Sequence, residues 1–208
     1  SKVDDRYIRR SGLLTKHEVS MRLSRLQMIV RKQDWLDVLL KRINLKYEQS
    51  SDKVASQSAS AQSSKIIVPS VRPHEADKLI ADAYPDNNLS HIKFLAISQR
   101  FILRHIGFYL FPLLIIIGGF ALSKQNISLV FSILALFFVL SSLVVLRWKR
   151  WGFAQDDTYI YLRKGLFGVD YYCFPSYKVQ QTQFKQSVMM KKRKLASVRL
   201  ILASGSVT

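Results

Sequence analysis

The chain has 208 residues, with 32 Lys and Arg against 14 Asp and Glu, for a formal net charge of +18. Its single cysteine, Cys173, excludes an internal disulfide and a cysteine-rich metal site, and it suits a reducing compartment. The charge excess calls for an anionic partner, either nucleic acid or anionic lipid.

The first 86 residues read as a β-rich module. Strands are expected at Tyr7–Arg10, His17–Arg22, Gln27–Lys32, Leu45–Glu48 and Lys65–Val68, with Asp4-Asp5 as a turn before the first. Ser50 to Ser64 is a low-complexity Ser/Ala/Gln loop. Pro73 to Ala83 reads as a helix: Pro73 suits its first turn, acids lie early, and Leu79, Ile80 and Ala83 give an apolar face. Tyr84-Pro85-Asp86-Asn87-Asn88 breaks it. The module's first strand is expected to be incomplete.

Residues 87–104 form a basic segment beside a membrane, and 105–146 a transmembrane helical hairpin. Its apolar runs are Ile106–Leu122 and Ile127–Leu146, joined by Ser123-Lys124-Gln125-Asn126. A span needs about 20 apolar residues. Two adjacent charge-free runs of this length argue against the alternative of a buried hairpin in a soluble core. No acidic residue lies between Asp86 and Asp156. Lys93, Arg100, Arg104 and His105 precede the runs, Arg147, Lys149 and Arg150 follow them, and only Lys124 lies in the connection. The positive-inside rule then puts both ends in the cytoplasm. Trp148 and Trp151 are the expected interfacial anchors. Pro112 and Gly118-Gly119 are expected to loosen the first run or to let the helices approach. No ionisable side chain lies deep in either run, whereas proton-coupled transporters place charges there.

Residues 147–208 read as a second β-rich module. Strands are expected at Tyr159–Arg163, Asp170–Phe174 (ended by Pro175), Val179–Gln186 and Val198–Ala203. Asp156-Asp157 is a turn, and Gly165-Leu166-Phe167-Gly168 a hairpin turn rather than a phosphate loop, because no Lys-Ser/Thr pair and no helix follow. The chain ends within an expected strand, so it reads as a piece of a longer protein, with this module truncated at its C-terminal end.

The two flanks repeat one another. At a shift of 153 positions they align without a gap from Gly12 to Ser51: Arg25-Leu26-Gln27 falls on Lys178-Val179-Gln180, Gln33 on Gln186, Lys41 on Lys194 and Lys46 on Arg199. Each flank is therefore expected to be one copy of a single module, with the hairpin as spacer.

The sharpest chemical feature is Lys191-Lys192-Arg193-Lys194 beside Met189 and Met190. On a membrane protein such a run binds anionic headgroups or a protein partner, with the methionines wedged among the headgroups; the bland reading is a solvated basic turn. Arg147, Lys149 and Arg150 form a membrane-proximal collar for the same partners. The aspartate pairs, the scattered histidines (His17, His74, His91 and His105) and Cys173 give no ligand spacing and no nucleophile with its base, so no metal, cofactor or enzymatic activity is expected.

The order of a two-span hairpin, strands, a Gly-Leu-Phe turn at Gly165, a strand ending near Pro175, the Val179-Gln180 strand and a basic turn before Ser197-Val198-Arg199-Leu200 resembles the bacterial pleckstrin-homology-like membrane proteins. It is most similar to their long multi-pass members, in which hairpins alternate with PH-like domains. The resemblance implies a transmembrane α-helical hairpin flanked by two PH-like barrels, each capped by a C-terminal helix and facing the cytoplasm. It implies a non-enzymatic protein of the cytoplasmic membrane, associated with envelope stress or antimicrobial peptide tolerance. The expected partners are the anionic inner leaflet and another membrane protein or a second copy of the chain, not nucleic acid. The alternative is a subunit of a membrane exporter that uses the barrels for assembly. The first copy departs from the pattern at Asp34–Leu40, more acidic and more helical than Val188–Arg193, and in its long polar loop.

Overall fold

The computed structural model describes residues 2–3, 6–11, 17–50 and 65–207, with side chains described from residue 21 onward apart from 189 and 206. The expected Asp4-Asp5 turn and most of the Ser50–Ser64 loop lie outside the described residues. Contacts group the chain into two compact units. One comprises Ser1–Ile92, Gln155–Tyr161 and Asp170–Thr208; the other comprises Lys93–Ala154 and Leu162–Val169. The first unit thus draws on both expected modules.

In the first unit, β1 (Lys2–Val3), β2 (Arg6–Ser11) and β3 (His17–Arg22) form an antiparallel three-stranded sheet. A single 3-10 turn at Leu23–Arg25 leads into β4 (Leu26–Gln33), which is followed by a short helix α1 (Trp35–Leu39), β5 (Ile43–Gln49) and β6 (Lys65–Val71). β5 lies between β4 and β6, antiparallel to both. β4 and β5 supply much of the core: Leu26, Ile29, Ile43 and Leu45 are wholly buried. Helix α2 (Pro73–Ala83) has the bounds read from sequence. Its first turn is held by the Glu75 carboxylate, which accepts from Arg72 N at 3.2 Å, and Ala76 and Ile80 form its buried stripe. Arg31 on β4 pairs with Asp77 on α2 at 3.1 Å.

The other strands of this unit come from beyond the apolar helices. β9 (Tyr159–Lys164) begins here, and β10 (Val169–Pro175) is hydrogen-bonded to β4 on one side and β9 on the other. The β10 side chains Cys173, Phe174 and Pro175 are fully buried, as is Tyr161 of β9. The Asp170 carboxyl, which burial pushes up, accepts from Gln33 N and is partly drawn back by Lys32. After a 3-10 turn at Ser176–Lys178 come β11 (Val179–Lys185), the one-turn helix α6 (Val188–Lys191), β12 (Ser197–Leu202) and β13 (Gly205–Val207); the three strands form an antiparallel sheet.

The Asp156-Asp157 turn is built as its residue type dictates. Asp156 accepts from the backbone N–H groups of Thr158 (3.0 Å) and Tyr159 (2.6 Å), and from Tyr161 Oη (2.7 Å). Tyr161 Oη in turn accepts from Asn88 N at 2.9 Å, and Tyr159 Oη donates to Pro85 O at 2.8 Å. The segment that ends α2 is thereby pinned to β9. Burial raises the Asp156 carboxyl, but the Tyr161 hydroxyl, the two backbone donors and the Asn88 side chain outweigh it and hold it below the usual carboxylate range. A carboxyl with a depressed native pKa stabilises the fold above its unfolded value, about 3.9, and loses that contribution as pH falls through its native value. Asp156→Asn is expected to cost about 1 kcal/mol or more at neutral pH. It is also expected to flatten the acid limb of stability below about pH 4, as read by chemical denaturation across pH.

The second unit holds two consecutive apolar helical segments, Arg100–Ser123 and Ile127–Arg150, each 24 residues and long and apolar enough to cross a membrane. The first begins six residues earlier than the apolar run read from sequence and is not uniform: α3 (Arg100–Leu103), then a seven-residue π segment at Arg104–Leu110, then α4 (Phe111–Ser123). Pro112 explains the change. It has no N–H to donate and its ring displaces the carbonyl one turn back, so the backbone widens upstream. His105 Nδ1 donates to Phe101 O at 2.8 Å, within this widened region. Asn126 caps α5 (Ile127–Arg150) by accepting from Leu129 N at 3.1 Å. Most large apolar side chains of these segments are exposed, Phe108, Ile116 and Phe138 by 61%, 70% and 74%. An apolar surface of this extent marks a face that meets a membrane or another protein.

Two short strands absent from the sequence reading join the helix ends. β7 (Leu95–Ala96), before the first segment, pairs antiparallel with β8 (Gly152–Gln155), after the second. β8 lies between β7 and the end of β9. The β9–β10 turn carries a glycine with no alternative: a Cβ on Gly165 would stand 1.9 Å from Gly168 O. Gly118, by contrast, has nothing within 4 Å of such a Cβ. Gly165→Ala should therefore lower stability by about 2 kcal/mol or more. Gly118→Ala should leave it nearly unchanged, both read by thermal unfolding of the detergent-solubilised chain.

Candidate basic site

The basic loop is set by the β11–β12 hairpin. Ser187, two residues past the end of β11, caps α6, its hydroxyl accepting from Met190 N at 3.4 Å. Lys194 turns the chain back with a left-handed φ of 53°, and Gln186 Nε2 braces the loop by donating to Leu195 O at 2.7 Å. Lys191, Lys192, Arg193 and Lys194 all lie exposed on this brace. No acidic residue occurs after Asp170, so the whole C-terminal part of the chain is cationic. Among the described residues no carboxylate comes within ion-pair distance of the four cations.

The hairpin has two chemically different faces. Phe184 stands opposite Val198, Thr182 opposite Leu200, and Leu200 opposite Val207, so these side chains share one face. Leu202, two positions along, shares it too. Leu202 and Val207 are buried, but Phe184 at the tip is 72% exposed and Val198 is 43% exposed. Val188 on α6 is 78% exposed. Lys185 and Arg199 alternate onto the opposite face. The tip therefore carries apolar side chains beside four exposed cations. Phe184 was not singled out from sequence, although a lone aromatic within a Gln/Thr strand was the available signal. The side chain of Met189, expected to wedge beside the cations, lies outside the described residues; Met190 is half-buried.

The expected collar residues lie in the second unit, and several cations there are committed to the protein. Arg150 donates to the carbonyls of Phe167 and Gly168, at 3.5 Å for the latter. Arg147 lies over the Trp151 ring at 4.6 Å and the Phe101 ring at 5.8 Å. Trp148 Nε1 donates to Ile97 O at 2.9 Å, so its polar edge is satisfied by protein. Lys149 is exposed. Sequence reasoning missed Arg163, which caps α5: its Nε and Nη2 donate to the carbonyls of Arg150 (3.2 Å) and Lys149 (3.3 Å), and its guanidinium covers Phe94 at 5.1 Å. Gly152 leaves the room Phe94 needs, since a Cβ there would meet Phe94 Cβ at 2.9 Å. Among the described residues no group of three His, Cys, Asp or Glu side chains assembles as a metal site.

Arg163→Ala should cost about 1–2 kcal/mol, and Arg163→Lys should recover less than half, because an ammonium cannot span both carbonyls. Lys149→Gln should be near neutral. Thermal unfolding of the three variants orders these contributions.

Residues 112–208 match the family model described as a bacterial PH domain, so this part of the chain carries a bacterial PH-like domain. No curated protein and no solved structure matches the chain.

Proposed function

We propose that this chain, with its bacterial PH-like domain, is a non-enzymatic multi-pass protein of the cytoplasmic membrane that binds anionic headgroups through the β11–β12 tip. PH domains are in general binding modules, and the reading extends that role to a lipid surface. The observation that carries it is the exposed run Lys191–Lys194 beside exposed Phe184, Val188 and Val198. Cations gain roughly 1 kcal/mol each near an anionic leaflet, and adjacent apolar side chains add burial among the headgroups. The two apolar helices would supply the anchor, with both ends on the cytoplasmic side by the positive-inside rule. Lys149 is the collar residue best placed to join in, since Arg147 and Arg150 already have partners in the protein.

The test uses the full chain in nanodiscs, with a polarity-sensitive dye on Ala196→Cys, an exposed loop position. Cys173 is wholly buried, and its thiol is pushed up by burial and by Asp156, so it stays unlabelled. The expected result is a blue-shifted, salt-sensitive emission in anionic discs and none in neutral discs. Replacing Lys191, Lys192, Arg193 and Lys194 with glutamine should abolish the shift. Equal emission in both lipids, or a shift unchanged in the quadruple variant, would contradict the reading.

A further inference from the structure

The strand junction in the first unit joins segments that the expected repeat assigns to different copies. At the shift of 153 positions read from the sequence, β3 falls on residues 170–175 of β10, the 3-10 turn Leu23–Arg25 falls on Ser176–Lys178, and β4 falls on β11. The following loops repeat their bonds as well. Gln33 Nε2 donates to Arg42 O (3.4 Å) as Gln186 Nε2 does to Leu195 O (2.7 Å). Arg42 N donates to Asp37 O (2.8 Å) as Leu195 N does to Met190 O (3.0 Å). Lys41 and Lys194 both turn through a left-handed φ, 52° and 53°. In backbone type, then, β4 and β11 are equivalent strands, and so are β3 and β10.

One pairing between these types is made: β10 is hydrogen-bonded to β4. At that junction the two equivalent corners meet, Lys178 Nζ donating to Ser24 O at 3.1 Å and also to Leu26 O. Among the described residues the reciprocal pairing, β3 with β11, is not made. Among the described residues β3 and β11 are each the outer strand of a separate three-stranded sheet. The contrast extends to burial: β4 buries Met28, Ile29 and Val30, whereas every β11 side chain after Val179 is exposed. An open edge offers a row of unpaired N–H and C=O groups, and a strand of fitting geometry adds to it by main-chain hydrogen bonds.

We propose that β3 of one molecule pairs with β11 of a second copy, as β10 pairs with β4. The type of strand that β11 accepts follows from β4, which holds β10, and β3 is the other strand of that type in this chain. Two molecules then close on each other through two identical junctions, β3 to β11 and β11 to β3, which is a two-fold arrangement. Confinement of both copies to one membrane raises their effective concentration for this contact. The inference rests on the repeat expected from the sequence and on the membrane anchoring proposed above.

The contact of Asp170 with β4 gives the test. Asp170 on β10 lies by Lys32 and Gln33 on β4, and the equivalent positions are His17 and Lys185. Two differently tagged copies of the chain, one His17→Cys and one Lys185→Cys, are co-expressed and treated in membranes with a short bis-maleimide. The expected product carries both tags, while the parent chain, whose Cys173 is buried, gives none. Cross-linking only within a single chain that carries both substitutions would overturn the second-copy assignment, as would no product at all. The pair Lys32→Cys and Asp170→Cys in one chain serves as the control. If it fails to cross-link within the chain, the β4–β10 junction itself is wrong, which is a different failure from loss of the intermolecular product.

Discussion

β4 and β10 are separated along the chain by two apolar helices, yet their backbones share hydrogen bonds. A central strand must satisfy both of its edges, and β4 does so with β5 from its own side of the helices and β10 from the other side. The core follows from this. Leu26, Ile29, Ile43 and Leu45 before the helices, and Tyr161, Cys173 and Phe174 after them, are wholly buried in one unit. The tyrosines of β9 then reach Pro85 and Asn88 and fix the end of α2. Such long-range pairing carries a large loop-closure cost, which the β7–β8 ladder and the Arg163 cap on α5 lower by holding the helix ends together.

Charge and apolar surface are sorted in a way that suits a boundary between water and lipid. The two long helices expose Phe, Leu and Ile along their lengths and keep arginine and lysine to their ends. Near those ends Arg147, Arg150 and Arg163 are committed to rings and carbonyls, so they build structure before they are available to a headgroup. The β11–β12 tip is the opposite case: its four cations hang on a braced loop, with apolar side chains beside them. The structural basis of the proposed lipid contact therefore lies in the tip more than in the collar.

Much of this was legible from residue order. Helix α2 has the bounds its Pro73, early acids and apolar stripe imply, and β3, β4, β9 and β10 lie within a residue or two of their expected limits. The Asp156 turn formed through the local backbone bonds that its side chain favours. The β7–β8 ladder was not legible, because two-residue strands have no periodicity to read. Nor was the choice of β10 as partner for β4. If the flanks repeat, strands of equivalent type occur twice, and local pattern does not distinguish which edge meets which. The exposed Phe184 escaped notice for a related reason, since exposure depends on what covers the β11 face and not on the strand itself.

The most direct measurement is native-state hydrogen exchange on the full chain in nanodiscs, comparing the parent with Ile29→Ala. Ile29 is wholly buried on β4. If β4 and β10 belong to one cooperative fold, the substitution should accelerate exchange of β10 amides by the same factor as those of β4 and β5. Acceleration confined to β4, β5 and β6, with β10 protected as before, would contradict the account.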